Sequence, residues 1–209
     1  MTDSLTVRHT ADPKADTSLP DPHQDTFSKT YFGFWIYLMT DCVLFATLFI
    51  TYAVLHDKTY GGPSAHDLFD LSLPLKETVV LLLSSVTCGF AVLSAAKNKI
   101  TRIIPWLIVT FILGSTFLFL ELSEFAAFLE EGHSWTKSAF LSSFFTLVGA
   151  HGLHITVGLL WIGVMIAQLI YYGLTVTTFR RLAVFSLFWH FLDLIWVFLF
   201  TFVYLMGVI

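Results

Sequence analysis

Two short stretches of this chain place ionisable side chains inside long apolar runs. His151 and His154 belong to one run, and His190 and Asp193 belong to another. A spacing of three residues puts both members of each pair on one face of a helix. A charge at the centre of a membrane costs about 3 kcal/mol even on the lower estimates, so such residues usually face protein or water. What this chain does depends on which chemistry these pairs carry out.

Three kinds of chemistry fit the two motifs. Histidine nitrogens with one carboxylate would suit zinc or iron, although the spacing is a weak signal and no cysteine set completes it. Two histidines on facing helices could instead ligate a haem. A third interpretation is a proton path through Asp41, Asp193 and the histidines, as pumps and transporters use. The simplest interpretation is a set of buried polar contacts between helices, or with lipid headgroups and a partner subunit.

Further carboxylates lie in the apolar runs at two depths. At about 1.5 Å per residue, Asp41 lies ~15 Å into its run, near the midplane of the membrane. Glu77, Glu121 and Glu124 lie nearer the outer ends of theirs, and the last two are again three residues apart. The depths therefore predict an outer layer of glutamates and a central layer that contains Asp41, His151, His154, His190 and Asp193.

The elements that carry these residues are predicted to be membrane helices. Of the 209 residues, 56% are hydrophobic and 12% are charged, whereas a soluble domain is about a quarter charged. Five apolar runs each reach the ~20 residues that cross a bilayer. Because lipid offers the backbone no hydrogen-bond partners, these runs are expected to form helices, in which the backbone groups bond to one another. We therefore predict an all-α bundle of five transmembrane helices within 31–209, at about 31–55, 74–96, 103–128, 138–172 and 182–208.

The ends and links of the chain predict its orientation. Residues 1–30 are polar, contain five aspartates and three prolines, and lack the apolar core of a signal peptide, so we expect a disordered cytoplasmic tail. Eight of the 11 Lys and Arg residues fall on the side of the N-terminus and three on the other side. This distribution predicts a cytoplasmic N-terminus and a periplasmic C-terminus.

Several function classes are disfavoured by what the sequence lacks. It has no basic face for nucleic acid, no glycine-rich phosphate loop and no CxxC motif, and its two cysteines, Cys42 and Cys88, indicate no disulfide framework. Five helices without an internal repeat are also few for a secondary transporter. The residues alone favour a subunit of a larger membrane complex.

Five stretches then resemble a known family, subunit III of the haem–copper respiratory oxidases. They lie at 33–42, at 77–78 with 81–85, at 121–125, at 149–155, and at 189–196 with 204–207. The five-helix form is similar to bacterial members that lack two extra N-terminal helices. Asp41 in helix one, together with Glu77 in helix two, looks most like the cytochrome bo-type ubiquinol oxidases within that family.

The resemblance implies a supporting role for this chain. It implies a non-catalytic subunit of a proton-pumping ubiquinol oxidase in the bacterial inner membrane, with no catalytic, cofactor or metal residues of its own. Haem and copper are expected in the partner subunit I, on which this chain would pack, alongside subunits II and IV. A phospholipid would occupy a cleft between helices one and two and helices three to five.

The resemblance also assigns expectations to the intramembrane residues. Asp41 stands where the cytochrome c oxidase relatives carry a glutamate, which implies a buried carboxylate with a proton-related role. The remaining residues are expected to be intramembrane polar contacts or to line the lipid cleft: Glu77, Glu121, Glu124, His151, His154, His190 and Asp193. Two alternatives stay open, namely the same subunit of a cytochrome c oxidase or nitric oxide reductase assembly, and an independent proton channel or transporter.

Overall fold

The helices of the protein agree in number and type with those predicted from the sequence. The structure is a computed structural model that describes residues 22–56, 71–130, 132 and 135–208, without the side chains of 22–27 and 208. Within these residues it contains no strand, and five helices are long and apolar enough to cross a membrane. The predicted all-α bundle is confirmed. Its helices are α1 (Pro22–Leu55), α2 (Ser72–Ala96), α3 (Ile100–Glu130), α4 (Ala139–Tyr172) and α5 (Val176–Leu199).

The fifth helix does not end at Leu199. It continues as a π-helical turn over Phe200–Leu205 and then as a final helical turn over Met206–Val208. A π-helical turn changes which side chains face a neighbouring helix, and such turns are frequent at functional sites. Here the turn carries Tyr204, which is fully buried in the bundle.

Local capping interactions define the link between α4 and α5. Gly173 follows α4 with a φ of 67°, a backbone conformation that favours glycine, and its N–H donates to the carbonyl of Leu169. The hydroxyl of Thr175 then accepts a hydrogen bond from the backbone N–H of Thr178, which starts α5. Because only Leu174 separates these caps, α4 and α5 are held as antiparallel neighbours.

Two helices begin earlier than the apolar runs that predict them. Helix α1 starts at Pro22, so residues 22–30 of the predicted tail are helical, while 1–21 lie outside the described residues. Extending an existing helix is easier than nucleating one, and proline suits a first helical turn. Helix α5 starts at Val176, so Arg180 and Arg181 lie inside it rather than in the preceding link. The guanidinium of Arg181 donates to the side chain of Gln168 over 2.9 Å.

Helix α5 lies at the centre of the bundle. It packs against α1, α2 and α4, while α2 also runs along α3 and α3 along α4. Helix α1 packs mainly on α4 and has no extensive contact with α2. The expected grouping of the first two helices against the other three is therefore wrong, because α2 joins α3 and α5 instead of α1.

The indole of Trp189 on α5 fills the space where four helices meet. A Cβ atom added to Gly158 of α4 would lie 2.7 Å from this indole, and one added to Gly114 of α3 would lie 2.9 Å from it. The indole N–H donates to the hydroxyl of Ser84 on α2 over 3.0 Å. Seven residues later, Trp196 donates in the same way to Thr78 over 2.9 Å. Helices α2 and α5 are thus joined by two hydrogen bonds on one face.

The close approach of Trp189 to Gly158 generates a stability prediction. Gly158→Ala should lower the free energy of unfolding by about 1–3 kcal/mol, because the added methyl group overlaps a fully buried, rigid indole. The matched control is Gly163→Ala, since nothing lies within 4 Å of the Cβ position of Gly163 on the same helix. Titration of the full chain with SDS in detergent micelles, followed by circular dichroism, measures both. Equal stability of the two variants would contradict the prediction.

Candidate functional site

The three predicted outer-layer glutamates meet in the interior of the bundle. Glu77 comes from α2, whereas Glu121 and Glu124 come from α3, and all three are buried. The phenolic O–H of Tyr204 donates to Oε2 of Glu124 over 2.9 Å. We call these four residues the outer cluster. Three helices contribute to it, so the cluster exists only when the bundle has formed.

Two members of the outer cluster lack hydrogen-bond partners within the described residues. Both carboxyl oxygens of Glu77 and both of Glu121 are buried without such a partner. The three carboxyl groups are close enough to interact electrostatically. The carboxyl of Glu121 also rests against α4, since a Cβ on Gly152 would lie 2.8 Å from its Oε1. Buried carboxyl groups grouped in this way can hold protons or water molecules between them.

Asp41 and His154 form a second polar contact, between α1 and α4. Their side chains lie 3.8 Å apart, from Oδ2 of Asp41 to Nε2 of His154, and Asp41 is buried. The Nδ1–H of His154 donates to the backbone carbonyl of Ala150 over 2.7 Å, which holds Nε2 toward the carboxylate. The ring of Phe45 lies 5.2 Å from the imidazole and closes one side. This pair ties α1 to the rest of the bundle.

His151 has a different environment although it shares a helix face with His154. It is fully buried, and neither ring nitrogen has a hydrogen-bond partner within the described residues. Its ring lies 5.3 Å from Trp196 and 5.8 Å from Phe117, which meets it edge-on. His151 is therefore packed as an aromatic ring between α3 and α5.

The third motif, His190 with Asp193, faces outward from the bundle. His190 is exposed and Asp193 is half-buried. The Asp193 carboxyl lies beside Ser85 of α2 and interacts electrostatically with His190. The predicted central layer is therefore divided among a pair across the α1–α4 interface, a buried ring and an outward-facing pair. Among the described residues, no group of three or more His, Cys, Asp or Glu side chains could hold a metal ion.

An apolar groove runs between α1 and α5. Its volume is about 590 Å³, and its walls are almost entirely hydrocarbon. Phe45, which covers His154, also lines the groove, as does Cys42, the residue after Asp41. The groove therefore passes next to the contact between Asp41 and His154. The other side is lined by Leu194 and Phe198 of α5.

Reasoning from the sequence missed the hydrogen-bond donors that tyrosine and tryptophan side chains supply inside the bundle. The sequence did not indicate that Tyr204 donates a hydrogen bond to Glu124. Nor did it indicate a role for the indoles of Trp189 and Trp196. The spacing of seven residues between the two tryptophans was an available signal, since it places them on one helix face. The pairing of these indoles with hydroxyls of α2 follows only from the packing of the helices.

Comparison with known proteins gives a consistent group of relatives. Residues 9–208 match the family described as cytochrome c oxidase subunit III. The chain is 51% identical over 207 residues to the cytochrome bo(3) ubiquinol oxidase subunit 3 of Pseudomonas aeruginosa, covering 99% of both chains. It is 45% identical to the quinol oxidase subunit 3 of Bacillus subtilis, covering 84% of this chain and 86% of the relative. It is also 45% identical to a cytochrome c oxidase subunit 3 from a Bacillus species, covering 86% of each.

The hydrogen bond within the outer cluster gives a second prediction. Tyr204→Phe should lower the free energy of unfolding by about 1–3 kcal/mol, because it leaves a buried oxygen of Glu124 without its donor. The control is Tyr171→Phe, since Tyr171 is 82% exposed near the end of α4. Unfolding of the two full-length variants in detergent would be compared with that of the parent chain. If Tyr171→Phe lowered the free energy of unfolding as much as Tyr204→Phe, the buried hydrogen bond would not be the cause of the destabilisation.

Proposed function

The chain belongs to the cytochrome c oxidase subunit III family, and on that premise we propose that it is a structural subunit of a proton-pumping terminal ubiquinol oxidase. The observation that carries this proposal is the 51% identity to a ubiquinol oxidase subunit 3 over nearly the full length of both chains. In this role the complex oxidises ubiquinol and reduces oxygen to water, and this chain stabilises the subunits that do so.

The chain is a multi-pass protein of the bacterial inner membrane. Five membrane-length helices and bacterial relatives that are subunits of respiratory oxidases support this location. We propose a cytoplasmic N-terminus. The described basic residues support this orientation, because the α2–α3 and α4–α5 ends of the bundle carry Lys97, Lys99, Arg102, Arg180 and Arg181.

The partners of the chain are the other oxidase subunits. Haem and copper would be held by subunit I, on which this chain packs, and subunits II and IV would complete the assembly. The residues described here supply mainly buried contacts between helices, which suits a supporting role. Long apolar side chains on several helix faces are exposed, for example Leu160 and Val164 of α4, and lipid or other subunits would cover them.

A phospholipid acyl chain is the proposed occupant of the groove between α1 and α5. The groove is large enough for such a chain, and its lining is hydrocarbon. Lipid bound there would cover the side of the bundle next to Asp41 and His154. This position differs from a cleft between two groups of helices, since α2 lies on the other side of α5.

Asp41 is the proposed site of a proton-related role. It is buried near the middle of α1 and faces a histidine across a helix interface at 3.8 Å. A carboxyl group and an imidazole at this separation can exchange a proton through one bridging water molecule. The other intramembrane groups, including the outer cluster and His151, are proposed to be polar or packing contacts within the bundle.

Purification of the assembled complex tests the proposed function. The full chain, tagged and extracted in mild detergent from cells that make the whole oxidase, should co-purify with subunits that bind haem and copper. That preparation should oxidise ubiquinol with oxygen, and the separated chain should show no haem absorbance. Oxidation of reduced cytochrome c instead of ubiquinol would favour the cytochrome c oxidase alternative. Proton flux from the lone chain in liposomes would favour a channel.

Substitution of Asp41 tests the proton-related role. Asp41→Asn keeps the size of the side chain but cannot carry a proton, so turnover of the complex should fall or inactivation at high pH should become faster. Asp41→Glu should restore much of the parent behaviour, because it keeps the carboxyl group. Glu130→Gln, at the exposed end of α3, is the control for loss of a carboxylate elsewhere. Unchanged turnover and lifetime in Asp41→Asn would leave Asp41 as a structural contact.

A further inference from the structure

A pocket opens at the end of the bundle where α2 leads into α3 and α4 leads into α5. Its volume is about 320 Å³, which corresponds to about ten water molecules at ~30 Å³ each. Both links line it, with Asn98 from the first and Leu174 and Thr175 from the second. The pocket is therefore formed by two links that are far apart in the sequence.

Basic side chains surround this pocket. Lys97 and Lys99 flank Asn98, and these three residues make up the whole link between α2 and α3, so both lysines start beside the pocket. Arg180 follows Phe179, which lines the opposite side. Lys97 and Lys99 are exposed, and neither takes part in an ion pair among the described residues. Their positive charges are thus available to a bound molecule.

No acidic residue of α2 to α5 offsets these charges. The stretches 78–120 and 132–192 contain both links and the halves of the helices next to them, and neither stretch has an Asp or Glu. This end of the four helices carries five basic residues, namely Lys97, Lys99, Arg102, Arg180 and Arg181. A concave surface with charges of a single sign attracts a ligand of the opposite sign. The expected ligand is therefore an anion.

Two tyrosines place this end of the bundle at the level of the lipid headgroups. Tyr171 and Tyr172 are the last residues of α4, and they are 82% and 76% exposed. Tyrosine is enriched where a membrane meets water, because its ring is apolar and its hydroxyl is polar. Leu174, two residues later, lines the pocket. A headgroup of the surrounding lipid can therefore reach the pocket directly.

The lining of the pocket suits a phosphate that is attached to an apolar chain. The side-chain amide of Asn98 offers N–H donors, and so does the first turn of α5, which begins at Val176. Leu174 and Phe179 are half-buried and supply an apolar side. A free phosphate ion would use only the donors, whereas a phospholipid would use both parts of the lining.

We propose that this pocket binds the headgroup of an anionic phospholipid, whose phosphate is neutralised by Lys97 and Lys99. Basic pockets between transmembrane helices bind such headgroups in membrane proteins. In the proposed orientation this lipid belongs to the cytoplasmic leaflet. The apolar groove runs along α1 from Cys42 to His56, toward the other end of the bundle, so the two lipid sites lie in opposite leaflets. The proposal goes beyond the proposed function, because it requires neither the other subunits nor electron transfer.

Substitution of both lysines tests the headgroup site. Lys97→Gln combined with Lys99→Gln removes two charges from an exposed link and should leave the helices intact. The full chain in lipid-free detergent micelles is titrated with phosphatidylglycerol that carries a fluorophore on its acyl chain, and energy transfer from tryptophan reports binding. The apparent affinity should fall about tenfold or more, the scale expected for two basic residues that face an anionic lipid.

The matched control removes the same charge at the other end of the bundle. Lys76→Gln combined with Lys137→Gln changes two exposed lysines and should keep the parent affinity for phosphatidylglycerol. Phosphatidylcholine with the same fluorophore should bind the parent and the Lys97→Gln, Lys99→Gln chain equally, because its headgroup has no net charge. An equal loss of phosphatidylglycerol binding in both double variants, or an equal loss for the two lipids, would overturn the proposal.

Photo-crosslinking of the parent chain in the assembled oxidase locates the bound lipid. Phosphatidylglycerol with a photoreactive group on its headgroup should label segments 95–99 and 174–180. Excess phosphatidylglycerol should compete with this labelling, whereas inorganic phosphate should not. Labelling only at other segments, or labelling of another subunit that covers these links, would overturn the proposal. Competition by inorganic phosphate would also overturn it, because the site would then recognise the free ion and not the lipid.

Discussion

The insertion of Trp189 among four helices is the interaction on which the rest of the bundle depends. Its indole occupies space that exists only because Gly114 and Gly158 carry no side chains. Its N–H is satisfied by the hydroxyl of Ser84. In hydrocarbon there is no water to take that hydrogen bond, so the contact also fixes the height of α2 against α5. Because α5 is held in the centre, α1 and α2 must lie on either side of it.

The position of α5 separates the polar residues by what they can contact. The outer cluster is enclosed because α2, α3 and α5 converge there, and Tyr204 of the π-helical turn reaches Glu124. Asp41 meets His154 because α1 lies against α4. The face of α5 that carries His190 is not covered by another helix of the bundle, and so His190 remains exposed. Buried polar groups thus hold the helices of this chain together.

A supporting subunit of an oxidase needs stable internal packing and surfaces that recognise its neighbours. The apolar groove between α1 and α5 suits lipid. Hydrophobic contact alone gives little preference between lipid and protein inside a membrane, because lipid tails are as apolar as leucine.

The sequence by itself determined the class of the fold, the existence of five spans and the family. These depend on long apolar runs and on local motifs, which packing does not alter. It also placed Glu121 with Glu124 and His190 with Asp193 on shared helix faces, because that spacing is a property of any helix. Only the tertiary structure decided where those faces point. His151 and His154 share a helix and a motif, yet one packs among aromatic rings and the other meets Asp41, since their neighbours come from helices distant in the chain.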